Sequence, residues 1–322
     1  MRRVFAVLVL AALACATSHG NPWITRLYED HPLVGRIWDV SAESFVDPAT
    51  LADRAAERRY VLLGEKHDNP DHHQLQARMI RELVARGRRP AVVLEMISLD
   101  RSDALATQLA EHPKDVDGLA TAVEWEKSGW LAWEYYRPIA EAALENDLPF
   151  VAANLPIGAV KAMRRRPSVP PPDSAPPPDG EPPDPVQTAA VPADVREILT
   201  AEIQAGHCGH APERMVQLLV EIQHARDAQL ARVLEVAGEE DGAVLIAGNG
   251  HVRKWIAVPR FLEAEPPFVL AFTEVRADVI DPAEYTRGGV FDALWFTPRV
   301  DDVDPCEHFR ERLKERFEKR GG

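Results

Sequence analysis

The sequence lacks the features that mark several common classes of protein. Its 322 residues carry a formal net charge of −14 at pH 7, so it has no excess of lysine and arginine with which to hold nucleic acid. It contains no Gly-x-Ser-x-Gly elbow, phosphate-binding loop, dinucleotide fingerprint or His-Glu-x-x-His pair. Nucleic-acid binding, serine-nucleophile hydrolysis and nicotinamide chemistry are therefore unsupported.

The N-terminal hydrophobic run is too short to cross a bilayer. It covers Val4–Leu13, follows two arginines and precedes small residues around Cys15. This pattern predicts a signal peptide over residues 1–20. Cleavage before Cys15 would yield an outer-membrane lipoprotein, which is the outcome we favour, and cleavage after Ala16 would release a periplasmic protein. In both cases the protein is exported and contacts a membrane through a lipid anchor at most.

Cysteine is scarce. Besides Cys15 the chain has only Cys208 and Cys306. In an oxidising compartment two remaining cysteines predict one disulfide, which would link the segment before the long C-terminal helix to the tail. Two unpaired buried thiols are the alternative.

Several short apolar runs lack the alternation of a half-exposed strand. They are Tyr60–Leu63, Ala91–Leu94, Phe150–Ala153, Ala243–Ala247 and Phe268–Phe272. Such strands are buried on both faces, and segments of helical period lie between several of them. The pattern predicts an α/β fold over residues 21–322, with a mostly parallel sheet and helices on both faces.

Two segments depart from this alternation. Residues of about 100–148 have helical character without a strand, which predicts a small helical cap subdomain over the sheet. Residues 166–191 hold ten prolines between Pro167 and Pro185 and almost no large apolar side chain. We expect this stretch to be a disordered surface insertion that takes no part in chemistry.

Polar side chains follow several of the predicted strands. Glu65 and His67 follow the first, Glu95 the second and His251 the fourth, and both histidines stand in a Gly-x-x-His pattern. The glycines would permit a positive φ or a close approach. Since the carboxyl ends of parallel strands meet at one edge, we expect the four side chains to share one cleft for catalysis or ligand binding. The alternative is an ion-pair network that only stabilises the fold.

An arginine interrupts the apolar stripe of the long helix. At 100° per residue the stripe contains Met215, Leu218, Leu219, Ile222 and Val233. Arg226 falls within it, and burying an unpaired guanidinium is prohibitive. We therefore expect Arg226 to pair with Glu65 or Glu95; the alternative is that it reaches solvent at the end of the stripe.

Aromatic residues concentrate in Trp130–Pro138, which contains two of the seven tryptophans and two of the five tyrosines. Such a cluster is typical of core packing, because aromatic side chains bury large areas. It could instead line a site for a flat apolar ligand, with a tyrosine as iron ligand.

Several motifs together resemble the ChaN-type haem-binding uptake lipoproteins of the Tiki-like superfamily, over residues 35 to 306. In chain order they are LLGEKHDNPDHHQLQ, VVLEM, WEYYRPIAEAA, VAANLP, HCGHAPERM, QHARDAQLA, VLIAGNGHVR and WFTPRVDDVDPC. The resemblance implies haem or iron uptake or storage at the cell envelope. It also implies a homodimer that holds haem between protomers, basic or imidazole groups near the propionates, and a tyrosine ligand to iron, here Tyr135 or Tyr136.

A second activity follows from the wider superfamily, which includes proteins similar to erythromycin esterases and to the Tiki metal-dependent peptidases. On that resemblance His67 or His251 would be a general base or a ligand of a divalent metal, and Glu65 or Glu95 its partner. The alternative function is therefore a metal-dependent hydrolase or peptidase that uses the strand-end cleft.

Overall fold

A computed structural model describes residues 23–165, 190–304 and 306, apart from residues 264 and 287. The predicted signal peptide with Cys15, and residues 166–189 of the proline-rich insertion, lie outside this described part. No helix within it is long and apolar enough to cross a membrane.

One eight-stranded sheet runs through the described part of the chain. Its strands are β1 (Ile37–Asp39), β2 (Ser44–Val46), β3 (Tyr60–Glu65), β4 (Ala91–Ser98), β5 (Phe150–Asn154), β6 (Ala243–Gly248), β7 (Phe268–Glu274) and β8 (Ala293–Thr297). They lie in the order β2-β1-β8-β7-β3-β6-β4-β5. Strand β1 pairs antiparallel with β2 and β8, and the other neighbours are parallel. The predicted, mostly parallel sheet is confirmed; the sequence analysis missed β1, β2 and β8.

Helices cover both faces of the sheet, as predicted. They are α1 (Pro48–Ala56), α2 (Pro70–Ala85), α3 (Ser102–Glu111), α4 (Val116–Ala122), α5 (Trp133–Glu145), α6 (Ile157–Arg165), α7 (Ala193–Gly206) and α8 (Glu213–Ala237). Val61 and Leu63 of β3 belong to the core under α1, α2 and α5. Leu62 belongs to the core under α7 and α8. Since successive side chains of a strand face opposite ways, odd-numbered positions of β3 face α2 and even-numbered ones face α8.

The segment expected to be helical, residues of about 100–148, contains α3, α4 and α5. Leu105, Leu119 and Ile139, one from each helix, are buried in the same hydrophobic core as α1 and α2. These helices therefore extend the core of the sheet and are continuous with it.

The inner face of α8 differs from the predicted stripe. Met215 is 41% exposed, whereas its neighbour Val216 is 1% exposed and faces the core. His224, Asp227 and Gln229 are also buried on this helix. Because this helix buries polar groups, its apolar residues alone do not identify its inner side.

A disulfide ties the C-terminal tail to the turn between α7 and α8. It joins Cys208 to Cys306 with a Cα–Cα distance of 5.5 Å. The two cysteines are 98 positions apart in the sequence, so the bond closes a long loop.

Candidate functional site

The carboxyl edge of β3, β4 and β6 brings together the side chains that the sequence analysis singled out. Glu65 is the last residue of β3 and Glu95 lies in β4. His67 lies 2.8 Å from Glu65, between Nδ1 and Oε1, and His251 lies 3.2 Å from Glu95, between Nε2 and Oε1. The two histidines therefore open onto one site, which we call the strand-end cluster.

The pleat of the strands divides this cluster between the two faces of the sheet. Glu65 has the same parity as Val61 and Leu63, so it faces α2 and α5. Glu95 follows the opposite parity and faces α8. The amide of Gly248, at the end of β6, donates to Oε2 of Glu95 at 2.9 Å and sits between the two halves.

Glu65 is fully buried and is surrounded by donors. Its Oε1 accepts a hydrogen bond from the Tyr136 hydroxyl at 3.2 Å in addition to the His67 contact, and its Oε2 lies 2.9 Å from Nδ1 of His73. Burial opposes ionisation of this carboxyl, but His73 and His67 outweigh it and hold the pKa of Glu65 well below its ordinary value. Glu65 is therefore a carboxylate at neutral pH.

His73 is a member of the cluster that the sequence analysis did not assign. Its Nε2 donates to the backbone carbonyl of His67 at 2.9 Å, and its Nδ1 lies within ion-pair distance of Glu65. Burial lowers the pKa of His73, but the Glu65 charge overrides this and raises it. The only sequence signal was its position in the first turn of α2, where Asn69 caps the helix by accepting from the Asp71 amide.

The pKa of the adjacent His72 shifts in the opposite direction. Its Nδ1 accepts a hydrogen bond from the Lys66 amide at 2.9 Å, and its Nε2 lies 2.9 Å from Oγ1 of Thr297. Burial lowers the pKa of His72 to about 3, so this ring is neutral. It fixes the turn after β3 without entering the cluster.

His251 is enclosed by two carboxylates. Its Nδ1 lies 2.6 Å from Oδ1 of Asp227, opposite the contact with Glu95, and the side chain is 7% exposed. Burial lowers the pKa of His251, but Glu95 and Asp227 together raise it well above its ordinary value. In turn, burial raises the pKa of Asp227 to about 6, although His251 opposes that shift. The sequence analysis did not assign Asp227 to this site.

In each Gly-x-x-His turn the glycine allows another side chain to pack closely against the backbone. Neither glycine has a positive φ. A Cβ on Gly64 would lie 2.4 Å from Oδ1 of Asn249 and 2.5 Å from Cγ2 of Val252. A Cβ on Gly248 would lie 2.8 Å from Nε2 of His67. The first glycine thus lets the turn after β6 lie on β3, and the second admits the His67 ring.

The two candidate tyrosines occupy different environments. Tyr136 is fully buried and its hydroxyl donates to Glu65. Tyr135 is half-buried; its ring lies 5.9 Å from that of His73, edge to face, and its hydroxyl has no hydrogen-bond partner among the residues described. Of the two phenols, Tyr135 is the one available to a ligand.

A groove of about 480 Å³ adjoins the cluster. Its wall includes Met96, next to Glu95, and Trp130, whose ring lies 4.9 Å edge-on from that of His67. The cationic side chains on its wall are Arg101, Lys127, Lys161, Arg164 and Arg226.

The predicted ion pair of Arg226 with Glu65 or Glu95 is wrong. Within the described part of the chain no carboxylate lies within ion-pair distance of Arg226, which lines the groove instead. The reason is that imidazoles already compensate both glutamates, and that the neighbouring position on α8, Asp227, is the one directed at the cluster.

Metal ligation by the histidines has no support in the geometry. Among the residues described, no group of three or more histidine, cysteine or acidic side chains is arranged to hold a metal ion. Both ring nitrogens of His251 face carboxylate oxygens, at 2.6 and 3.2 Å, so the prediction that it is a metal ligand is not compatible with this arrangement.

A family model described as haem-binding uptake, Tiki superfamily, ChaN matches residues 51–262. The chain belongs to this family, as the motifs predicted, and the predicted cofactor is the one that the family description names. The fold is similar to that of ChaN of Campylobacter jejuni, described for its cofacial haem binding. The two share 21% identity over 80% of this chain and 95% of the other, with a TM-score of 0.60.

A second solved structure, the type III effector HopBA1, covers 77% of this chain and 92% of its own at 12% identity and a TM-score of 0.42. No curated protein matches the sequence.

Proposed function

We propose that this protein binds haem through the groove and the aromatic residues beside the strand-end cluster. Membership of the ChaN family supports the choice of ligand. The residues present fit the group: Trp130 and Met96 offer apolar surface, and Tyr135 offers a phenol without an internal partner. That phenol is the observation on which the proposal depends, because a phenolate is an established ligand of haem iron.

Tyr135 is the proposed iron ligand in preference to Tyr136. Burial, followed by the charge of Glu65, raises the pKa of Tyr136 far above its ordinary value, which opposes formation of a phenolate. Moving Tyr136 toward a ligand would also remove a donor from Glu65. Tyr135 makes no such contact, so it can turn toward iron without a loss of internal hydrogen bonds.

The biological role we propose is haem or iron uptake or storage at the cell envelope. Export through residues 1–20 and lipidation at Cys15 would place the protein at the outer membrane. Cofacial haem binding in the Campylobacter jejuni relative supports a homodimer in which two haems face each other between protomers. Sedimentation of the mature protein with and without haemin tests the dimer, and loss of membrane attachment in Cys15→Ala tests the anchor.

Titration with haemin tests the central proposal. We expect a saturable shift of the Soret band in the mature wild-type protein, and a weaker, blue-shifted complex for Tyr135→Phe. Tyr136→Phe is the matched control, since it removes the neighbouring hydroxyl from the same helix, and should leave the ligand-to-metal charge-transfer bands unchanged. The absence of a saturable shift in the wild type would end the proposal. Loss of the spectrum in Tyr136→Phe but not Tyr135→Phe would reverse the assignment.

Hydrolysis is a second candidate function, favoured by the geometry of His67. Its Nδ1 is fixed by the buried Glu65 carboxylate while its side chain remains 37% exposed, an arrangement that suits a general base. Its pKa is raised, because Glu65 and Glu95 outweigh burial, so such an activity should increase with pH above about 6.5. Ester hydrolysis that is lost in His67→Gln but retained in Tyr135→Phe would favour it over haem binding.

A further inference from the structure

A second groove lies at the opposite edge of the sheet from the strand-end cluster, and we call it the amino-edge groove. It has a volume of about 520 Å³. Its wall includes Phe268, the first residue of β7, and Asp292, which directly precedes β8. It has no lining residue in common with the groove proposed for haem. A ligand of the amino-edge groove would therefore be additional to haem.

Trp255 stands on the wall of the amino-edge groove and is 65% exposed. Pro259, Leu262 and Pro266 lie on the same wall and are also at least partly exposed. A tryptophan offers a large, rigid apolar surface, and tryptophans that are covered on binding contribute strongly to affinity. The groove therefore presents an apolar contact surface to a partner.

The backbone holds Trp255 in this exposed position under strain. Its φ is +62°, and the Ile256 amide donates to the Lys254 carbonyl at 2.7 Å, which closes a three-residue turn around it. A positive φ at the centre of such a turn is unfavourable for a bulky residue. Flanking contacts maintain the turn: the Lys254 amide donates to the Val290 carbonyl at 2.9 Å. The Arg260 guanidinium donates to the Trp255 carbonyl at 3.0 Å. Strain that surrounding contacts maintain is typical of ligand-binding positions.

The chain itself contains a ligand suited to such a surface. Residues 166–189, which lie outside the described part, include ten prolines between Pro167 and Pro185. Proline-rich segments favour the extended polyproline II conformation, and they bind aromatic-lined grooves because little conformational freedom is lost. Charge does not select the ligand, since the described wall carries four cationic and four acidic side chains. The match is between tryptophan and proline.

The proline-rich segment ends close to the amino-edge groove. Asp194, in the first turn of α7, lies 3.6 Å from Arg260 of the groove wall, between Oδ2 and Nη1. Only residues 186–190 separate Pro185 from Val191, a stretch of roughly 20 Å when fully extended. Towards Arg165 at the end of α6, residues 166–189 can extend over roughly 80 Å. The segment is therefore long enough to reach the groove.

We infer that the proline-rich segment, residues 167–185, binds in the amino-edge groove of its own chain with its prolines against Trp255. Because the contact is intramolecular, a weak intrinsic affinity is sufficient. At an effective concentration of about 1 mM, a contact with a Kd of about 0.1 mM fills the groove for about nine-tenths of the time.

Oxidative labelling of tryptophan, read by mass spectrometry on the mature full-length protein, tests this inference. Trp255 should be oxidised roughly tenfold more slowly in the wild type than in a variant in which all ten prolines of residues 167–185 are replaced by serine. The matched control keeps the prolines and removes the charges of the segment; it should protect Trp255 as the wild type does. Its substitutions are Asp173→Asn, Asp179→Asn, Glu181→Gln and Asp184→Asn. Equal oxidation of Trp255 in the wild type and the serine variant would overturn the inference.

A peptide of residues 176–185, added to the serine variant, tests the groove side of the contact. It should restore the protection of Trp255, and Trp255→Gly in the same background should abolish its binding, measured by fluorescence anisotropy of the labelled peptide. The melting temperature should not fall in Trp255→Gly, because glycine accepts a positive φ without strain. Undiminished binding of the peptide by Trp255→Gly would overturn the inference. So would protection in the wild type that increases with protein concentration, because a second copy of the chain would then fill the groove.

Discussion

The two Gly-x-x-His turns look alike in sequence and differ in structure. Both follow a buried parallel strand, and both place an imidazole beside a buried glutamate. His67 remains 37% exposed and meets Glu65, whereas His251 is 7% exposed and lies between Glu95 and Asp227. The same local pattern therefore gives one imidazole that a ligand can reach and one that is enclosed.

The two turns also differ in the number of carboxylates that contact each imidazole. On the α2 side, one carboxylate, Glu65, serves two imidazoles, those of His67 and His73. On the α8 side, two carboxylates share the single imidazole of His251. Replacing His67 should therefore leave Glu65 with an imidazole as ion-pair partner. Replacing His251 should leave Glu95 and Asp227 with none.

The largest expected effect is on stability when His251 is replaced. His251→Ala leaves Glu95 and Asp227 buried without their ion-pair partner, which should cost about 3–5 kcal/mol in the free energy of unfolding. His67→Ala leaves Glu65 paired with His73, and since His67 is more than a third exposed it should cost at most about 1 kcal/mol. Urea unfolding of the two variants measures both values.

A rescue variant controls for this result. Adding Asp227→Asn to His251→Ala removes one of the two stranded carboxylates and should restore part of the lost stability. Equal costs for the two alanine variants would show that the halves of the cluster are not differently compensated.

The next largest expected effect is on the pH dependence of the free energy of unfolding, which should also distinguish the two turns. Because the pKa of His251 is raised in the folded protein, its stabilisation is complete below its unfolded pKa of about 6.5 and is lost as the pH rises toward the folded pKa. Each pH unit in that window costs about 1.4 kcal/mol for one such group, so about 2–3 kcal/mol is lost between pH 6.5 and 8.5. Thermal unfolding across this range measures the slope.

Other histidines also contribute to the pH dependence of stability, and they determine the slope expected for the control variant His251→Gln. His67 and His73 have raised pKa values and contribute in the same direction, so a residual slope should persist in His251→Gln. His72 has a lowered pKa and acts only as the pH falls below about 6.5, outside this window. A slope that His251→Gln leaves unchanged would show that His251 is not protonated in the folded protein.

Those parts of the fold that depend on the burial of apolar side chains could be predicted from the sequence. Strands β3, β4 and β6 are apolar up to the polar residues near their carboxyl ends, because both of their faces are buried, and this made the parallel sheet and its polar edge predictable. Strands β1 and β2 have three residues each and lie at one edge of the sheet, so they carry too little pattern to be found.

The partners within the cluster were not predictable, because they depend on which side of a helix turns inward. Position 227 faces the cluster and position 226 faces the groove, a difference of about 100° of rotation on α8. The apolar stripe could not fix that rotation, since α8 buries Asp227 and His224 as well as Val220. For the same reason, the sequence did not show that His73 and not His72 contacts Glu65.

Replacing the two turn glycines by alanine should also distinguish the two turns. In Gly64→Ala the new methyl would meet Val252 and the Asn249 side chain, both held in the turn after β6, and the overpacking should cost about 1–3 kcal/mol. In Gly248→Ala it would meet the ring of His67, which is partly exposed and can move, so the cost should be smaller. Urea unfolding gives the ranking; a costlier Gly248→Ala would mean that the His67 ring is as rigid as the turn.

Tyr136→Phe should have the smallest effect of the series. It removes one neutral donor from Glu65, which keeps its contacts with His67 and His73, so the expected loss is about 1 kcal/mol. Loss of that donor makes the Glu65 carboxylate a stronger base, and its partner imidazole should then hold its proton to higher pH. Titration of the His67 ring by NMR measures this as a rise in the pKa of His67. Tyr135→Phe is the control and should leave that pKa unchanged, because its hydroxyl does not reach Glu65; a fall in the pKa of His67 in Tyr136→Phe would contradict the assigned hydrogen bond.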